Sequence, residues 1–170
     1  MPTTTVRDLI APQSIVLELA APGRDAAILE LARRLEAVGA VDEAALVTEA
    51  ALEREALGST NIGFGVAIPH AKSAHVRRAA LAFGRRNAGV EWPGEAVEDA
   101  GAAPGTELAV HPVHLIFLIA SPEHASDDHL RMLAALARAI MHEDFRDALR
   151  TTTTADAVLE LLEKRLTIVA

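Results

Sequence analysis

The sequence predicts an α/β fold, a single layered domain with a mixed β-sheet flanked by helices on both faces. Three observations predict it. Strand-like runs alternate with stretches of helical period along the chain. One run, residues 113–120 (VHLIFLIA), is apolar almost throughout, as a strand buried on both faces must be. Just over half of the 170 residues are apolar and only 3% are aromatic, so the core is built from Ala, Val, Leu and Ile. That length suits one domain spanning 1–170, with an ordered core over about 15–166.

Residues 14–19 read as a short strand between Pro12 and Pro22–Gly23. Ile28, Leu31, Leu35 and Val38 recur at helical spacing, predicting a helix over 24–38 that stops at Gly39. Asp42 is placed to cap a second helix running to about Leu57, with Gly58 ending it. Residues 59–65 (STNIGFG) are too rich in Gly and small polar residues for a regular element. Residues 66–68 and 79–83 read as a pair of strands, the first broken by Pro69. Residues 88–112 carry several Gly and Pro among acidic residues and read as a long surface loop or hairpin. After the apolar strand, Ser126 is placed to cap a helix over 127–141, with Leu130, Leu133, Ala137 and Ile140 on its buried side. Short helices near 143–149 and 155–166 close the chain, the last capped by Thr154.

Composition removes several function classes. There is no cysteine, so thiol catalysis, disulfides and thiolate metal sites are excluded, which is compatible with the cytoplasm. The N-terminus lacks a basic flank and an apolar h-region, and no stretch is long enough to span a bilayer. A net charge of −8 argues against a nucleic-acid partner. The arginine pairs 33–34, 77–78 and 85–86 read as solvated surface. Seven histidines invite a zinc reading, but no HExxH or paired-Cys spacing supports a metal site. No Walker A pattern and no GxSxG elbow occurs, so neither direct nucleotide use nor acyl transfer at Ser59 is indicated.

The informative stretch is 54–72, REALGSTNIGFGVAIPHAK. A neutral imidazole is a competent nucleophile near pH 7, and Pro69 stiffens the chain just before His70. Phosphoryl transfer asks for positioning and for donors around three equatorial oxygens. Gly63 and Gly65 allow close approach of backbone N–H groups to an anion, and Ser59 and Thr60 add hydroxyl donors. Arg54 supplies a guanidinium fork. His129 sits in the first turn after Ser126, where the helix dipole favours an anion. Each residue has a plainer reading: a satisfied histidine at 70, a helix-start residue at 129, a surface ion pair at 54, and a tight turn at 63–65. His75 reads as rim or solvated surface.

The run ALEREALGSTNIGFGVAIPHAK, followed later by DDHLRMLAALARAIM after VHLIFLIASPE, resembles the enzyme IIA domains of the fructose–mannitol type. These belong to the bacterial phosphoenolpyruvate-dependent sugar phosphotransferase system. The resemblance covers about 15–166 and implies a phosphotransferase without a cofactor. In such a domain the Pro-His histidine takes a phosphoryl group from the carrier HPr and gives it to a cysteine of a IIB domain. The acceptor then falls on His70, the supporting histidine on His129 and the supporting arginine on Arg54. The IIB partner would be a separate chain, since no cysteine is present. The resemblance fits two branches, sugar uptake and nitrogen-linked regulation. A binding module that keeps the fold without the relay is the rival from another class.

Overall fold

The computed structural model describes residues 5–93, 112–124 and 128–166, with the side chains of Asp128 and His129 outside that description. In chain order the elements are α1 Val6–Leu9, β1 Ile15–Val16, α2 Arg24–Ala37, α3 Ala44–Leu57, β2 Asn61–Gly63, β3 Val66–Ala67, β4 His70–Ser73, β5 Ala80–Val90, β6 Val113–Pro122, α4 Asp128–Ile140, α5 Glu143–Thr151 and α6 Ala155–Arg165. The six strands form one mixed sheet in the order β1-β5-β6-β3-β2, with β4 also on β6. β5 runs antiparallel to β6, while β3 and β4 run parallel to it.

The apolar run is central, as expected, because its side chains alternate between two cores. Val113, Ile116, Leu118 and Ala120 pack under α2 and α3. Leu115, Phe117 and Ile119 pack against α1, α4, α5 and α6. Phe83 and Phe117 meet across the β5–β6 ladder with ring centroids 5.0 Å apart. Thr154 caps α6 as expected, its side chain accepting from the Ala157 N–H at 3.1 Å.

Several expectations are corrected. The strand over 79–83 does not pair with 66–68; it lies antiparallel to β6 and extends to Val90, so residues 88–90 are strand rather than loop. Residues 94–111 of that expected loop, and the Ser126 cap, lie outside the described residues. The Gly-rich stretch does contain a strand, β2, because Asn61 and Gly63 pair back onto β3. Asp42 does not cap α3; Glu43 holds that position, and the Asp42 carboxylate pairs with His75 Nδ1 at 2.9 Å. The buried side of α4 is Met132, Ala135, Leu136, Ala139 and Ile140; of the predicted stripe Ile140 lies there, while Leu130 and Ala137 are exposed and Leu133 is half-buried.

Arg85 also departs from the surface reading. It is 7% exposed, and its guanidinium donates to the carbonyls of Leu17, Leu149 and Thr152 at 3.2, 3.0 and 2.6 Å. It thus satisfies the carboxyl end of α5, where a cation is favoured. Replacing Arg85 with Leu should cost about 2–3 kcal/mol, since buried carbonyls lose a charged donor. Arg77→Leu, on an exposed side chain, should stay within about 0.5 kcal/mol. Urea denaturation of the two variants reads the difference, and equal midpoints would contradict this role of Arg85.

Candidate functional site

Residues 66–73 (VAIPHAKS) lie along one side of β6 in two steps. Val66 and Ala67 align with Leu115 and Ile116. Pro69 has no N–H to give, but its carbonyl accepts the Ile119 N–H at 3.0 Å. His70 then restarts the ladder opposite Ile119, and Ser73 ends it opposite Pro122. Paired residues share a sheet face. His70 therefore lies on the face of Ile119, the side packed by α4, and its side chain is half-buried.

The ring is oriented by a hydrogen bond between Nδ1 and the Ile68 carbonyl at 3.1 Å. A carbonyl only accepts, so a neutral ring making this bond carries its hydrogen on Nδ1. Nε2 is then the nitrogen with the lone pair.

The structure sorts the other candidate residues into two groups. Thr60 stands beside Ile68, whose N–H donates to the Thr60 carbonyl at 3.1 Å. The chain leading to Thr60 therefore reaches the His70 end of the sheet. Arg54, half-buried in the last turn of α3, donates from Nη1 to the Gly58 carbonyl at 2.9 Å in that same segment. The Ser59 hydroxyl oxygen accepts from the Asn61 N–H at 3.1 Å. The Thr60 hydroxyl is buried and donates to Glu55, which turns it inward rather than toward an incoming anion.

Gly63 and Gly65 belong to the opposite pole, contrary to the expectation that they surround the phosphate. The Gly65 carbonyl accepts from the N–H groups of His114 and Leu115 at the start of β6. His114 and Ile119 are five residues apart on that strand, so the turn lies roughly 16 Å from the level of His70 at ~3.3 Å per residue. Both glycines have positive φ, 89° and 75°, and Phe64 between them has φ 60°. Phe64 is held there by Arg150, which donates to its carbonyl at 2.6 Å, and by Arg146, stacked 4.2 Å from the ring centroid. The plainer reading of these glycines, a tight turn, is the one the geometry supports.

His129 falls in the first turn of α4, which begins six residues after Pro122, where β6 ends beside Ser73. Its side chain lies outside the described residues. Two apolar side chains are exposed at helix ends: Leu57 at 85%, the last residue of α3, and Leu130 at 54%, in the first turn of α4. His75 is engaged with Asp42, His114 Nδ1 lies 3.3 Å from the Arg86 carbonyl, and His124 and His142 are exposed. His111 lies outside the described residues. Among the described residues no three His, Asp or Glu side chains group as metal ligands, and no helix is long and apolar enough to cross a membrane.

The Arg54–Glu55 pair belongs to the run that carries the resemblance, but the sequence assigned Glu55 no role. A signal was present, since Glu55 continues the buried line of Val47 and Ala51 on α3 at four-residue intervals.

The comparisons with known proteins bear on the family and the fold. The family model for the "Phosphoenolpyruvate-dependent sugar phosphotransferase system, EIIA 2" matches residues 8–165. The fructose-specific EIIA component of Haloferax volcanii is 32% identical, over 95% of this chain and 97% of the relative. A nitrogen regulatory protein of Bradyrhizobium diazoefficiens is 34% identical, over 92% and 94%. The chain spans 23% of the length of another relative, the fructose-specific EIIABC component of Bacillus subtilis, at 32% identity over 94% of this chain. Among solved structures, the nitrogen regulatory protein IIA-Ntr of Neisseria meningitidis superposes with a TM-score of 0.75 at 32% identity, covering 91% of this chain and 97% of that one. The mannitol IIA–phosphorylated IIB complex of Escherichia coli gives 0.70 at 25% identity, covering 92% and 98%. The chain belongs to the EIIA type 2 family of the phosphoenolpyruvate-dependent sugar phosphotransferase system.

Proposed function

We propose that this protein is a phosphocarrier whose His70 accepts a phosphoryl group from the phosphohistidine of HPr and passes it to a cysteine of a separate IIB chain. The observation that carries this reading is the bond from His70 Nδ1 to the Ile68 carbonyl, which leaves the lone pair on Nε2. In the first transfer that lone pair forms the new P–N bond while the bond to the donor imidazole breaks, returning an electron pair to the donor ring. In the second, a thiolate attacks phosphorus and the bond to His70 breaks. Donor and acceptor of the first step are chemically alike, so that step is readily reversible. No metal or nucleotide enters either balance. The mannitol IIA relative was solved with a phosphorylated IIB domain, which supports the second partner.

Arg54 and His129 would offset charge on the phosphoryl oxygens, with the amino end of the 13-residue α4 adding its dipole. Leu57 and Leu130 offer apolar surface at the ends of the two helices for the carrier to cover. Ser59, whose hydroxyl oxygen accepts from the Asn61 N–H, would keep its own O–H to add a donor.

A second reading is favoured by the similarity to two nitrogen regulatory proteins, at 34% and 32% identity. It uses the same chemistry, with the phosphorylation state of His70 controlling binding to other proteins. Transfer to the cysteine of a cognate IIB domain separates the two readings: it proceeds in the transport reading and is absent in the regulatory one.

With phosphoenolpyruvate, enzyme I and HPr, the protein should gain one acid-labile phosphate on His70. His70→Ala should abolish labelling, while His129→Ala should keep some acceptance and impair onward transfer. Stable absence of label on the unaltered chain, with a competent HPr, would end this reading. Gly65→Ala gives a contrasting outcome. Its Cβ would stand 3.1 Å from His114 Cδ2 at φ +75°, costing about 1–2 kcal/mol of stability. Because the turn lies at the far pole, the labelling rate of the folded variant should stay within about threefold of the parent, as measured by rapid-quench labelling; a hundredfold loss would place the turn back at the phosphate.

A further inference from the structure

Glu55 is 6% exposed, and three donors converge on its carboxylate. The Thr60 N–H lies 3.2 Å from both oxygens, the Thr60 hydroxyl donates to Oε1, and the indole N–H of Trp92 lies 3.3 Å from Oε2. Thr60 is 4% exposed and Trp92, the only tryptophan, is fully buried. An ionised carboxylate accepts at both oxygens and donates nothing, so it matches this set of donors. Burying it without them would be costly.

The network does not stop at Thr60. The Thr60 carbonyl accepts the Ile68 N–H at 3.1 Å, and the Ile68 carbonyl is the group that engages His70 Nδ1, again at 3.1 Å. Hydrogen bonds therefore link, residue by residue, the Trp92 indole to Glu55, Glu55 to the Thr60 N–H, the Thr60 carbonyl to the Ile68 N–H and the Ile68 carbonyl to the imidazole. Glu55 also neighbours Arg54, whose guanidinium is tied to the Gly58 carbonyl in the same turn. The carboxylate fixes where the turn at 58–60 lies, and the turn fixes the carbonyl that chooses the ring tautomer.

We propose that Glu55 is a positioning residue for the phosphoryl acceptor: through Thr60 and Ile68 it holds His70 as the Nδ1–H tautomer, with the lone pair on Nε2. This rests on the reading of His70 as that acceptor, and its effect falls on the rate of transfer rather than on carrier binding.

The test compares the unaltered chain with Glu55→Ala, Glu55→Gln and, as a control destabilised at the far pole, Arg85→Leu. Ring ¹⁵N shifts of His70, recorded above its titration range, report the tautomer without any phosphate present. The parent should show mainly Nδ1–H. Glu55→Ala should move the ring toward the tautomer mixture of free imidazole and lower the rate of acceptance from HPr about 10- to 100-fold, with KM for HPr unchanged. Glu55→Gln should stay within about threefold of the parent. Its carbonyl can serve Thr60 N–H and Trp92, while its NH₂ donates to the Thr60 hydroxyl once that rotates. Arg85→Leu should leave tautomer and rate as in the parent. Should Glu55→Ala fail to fold, Thr60→Val removes one donor at nearly constant shape, and its His70 ring should shift in the same direction with a rate about 3- to 10-fold lower. An unchanged tautomer and rate in a folded Glu55→Ala or Thr60→Val would overturn the proposal, as would the same shift in Arg85→Leu. If the parent itself takes no phosphate, the reading of His70 as acceptor falls, while the ¹⁵N comparison still decides the role of Glu55.

Discussion

The parallel ladder between β4 and the last third of β6 is the constraint on which the site depends. It begins where Pro69 gives its carbonyl to Ile119 and sets His70 opposite that residue. A shift of one residue would turn the imidazole to the other face of the sheet, away from α4. The register is fixed by burial on both faces: Ala71 belongs to the core under α2 and α3, and Ile119 to the core under α4 and α6. The ladder also sets the local acceptor, because the chain that reaches His70 must pass Ile68 with its carbonyl within 3.1 Å of Nδ1.

That placement follows a general rule of α/β sheets, in which ligands meet the carboxyl ends of parallel strands. β3, β4 and β6 run in one direction; His70 follows the carboxyl end of β3 and opens β4 opposite Ile119, and β6 finishes three residues later at Pro122, six residues before α4. The other pole serves anchorage. There Arg85 closes the end of α5, while Arg146 and Arg150 hold the Phe64 turn against it. Phe64 keeps a positive φ, a conformation costly for an aromatic residue, because two arginines and the β6 amides fix both its ring and its neighbours. His70 and the arginine-held Phe64 turn thus lie toward opposite ends of one central strand, and the long apolar run 113–120 is what permits the separation.

The layered fold was legible because its signals are local and strong. The apolar run, the helical period over 24–38 and the Thr154 cap each depend on residues a few positions apart. His70 and Arg54 stood out for the same reason, and the resemblance of whole segments named the family that the comparisons then showed. What escaped was set by pairing at long range. No local pattern says that Gly65 lies beside His114 while His70 lies beside Ile119, so the glycines read as part of the phosphate cradle. Arg85 looked like half of a surface pair because its acceptors, Leu149 and Thr152, are more than sixty residues away. Asp42 looked like a cap because its true partner, His75, comes thirty-three residues later.

In the proposed relay one ring nitrogen, selected by one carbonyl, carries the phosphoryl group. Phosphorus–nitrogen coupling in the ¹⁵N-labelled phosphoprotein identifies that nitrogen directly. A single phosphorus bonded to Nε2 of His70, with Nδ1 still protonated, is the expected result. Phosphorus on Nδ1, or on any other histidine, would contradict it.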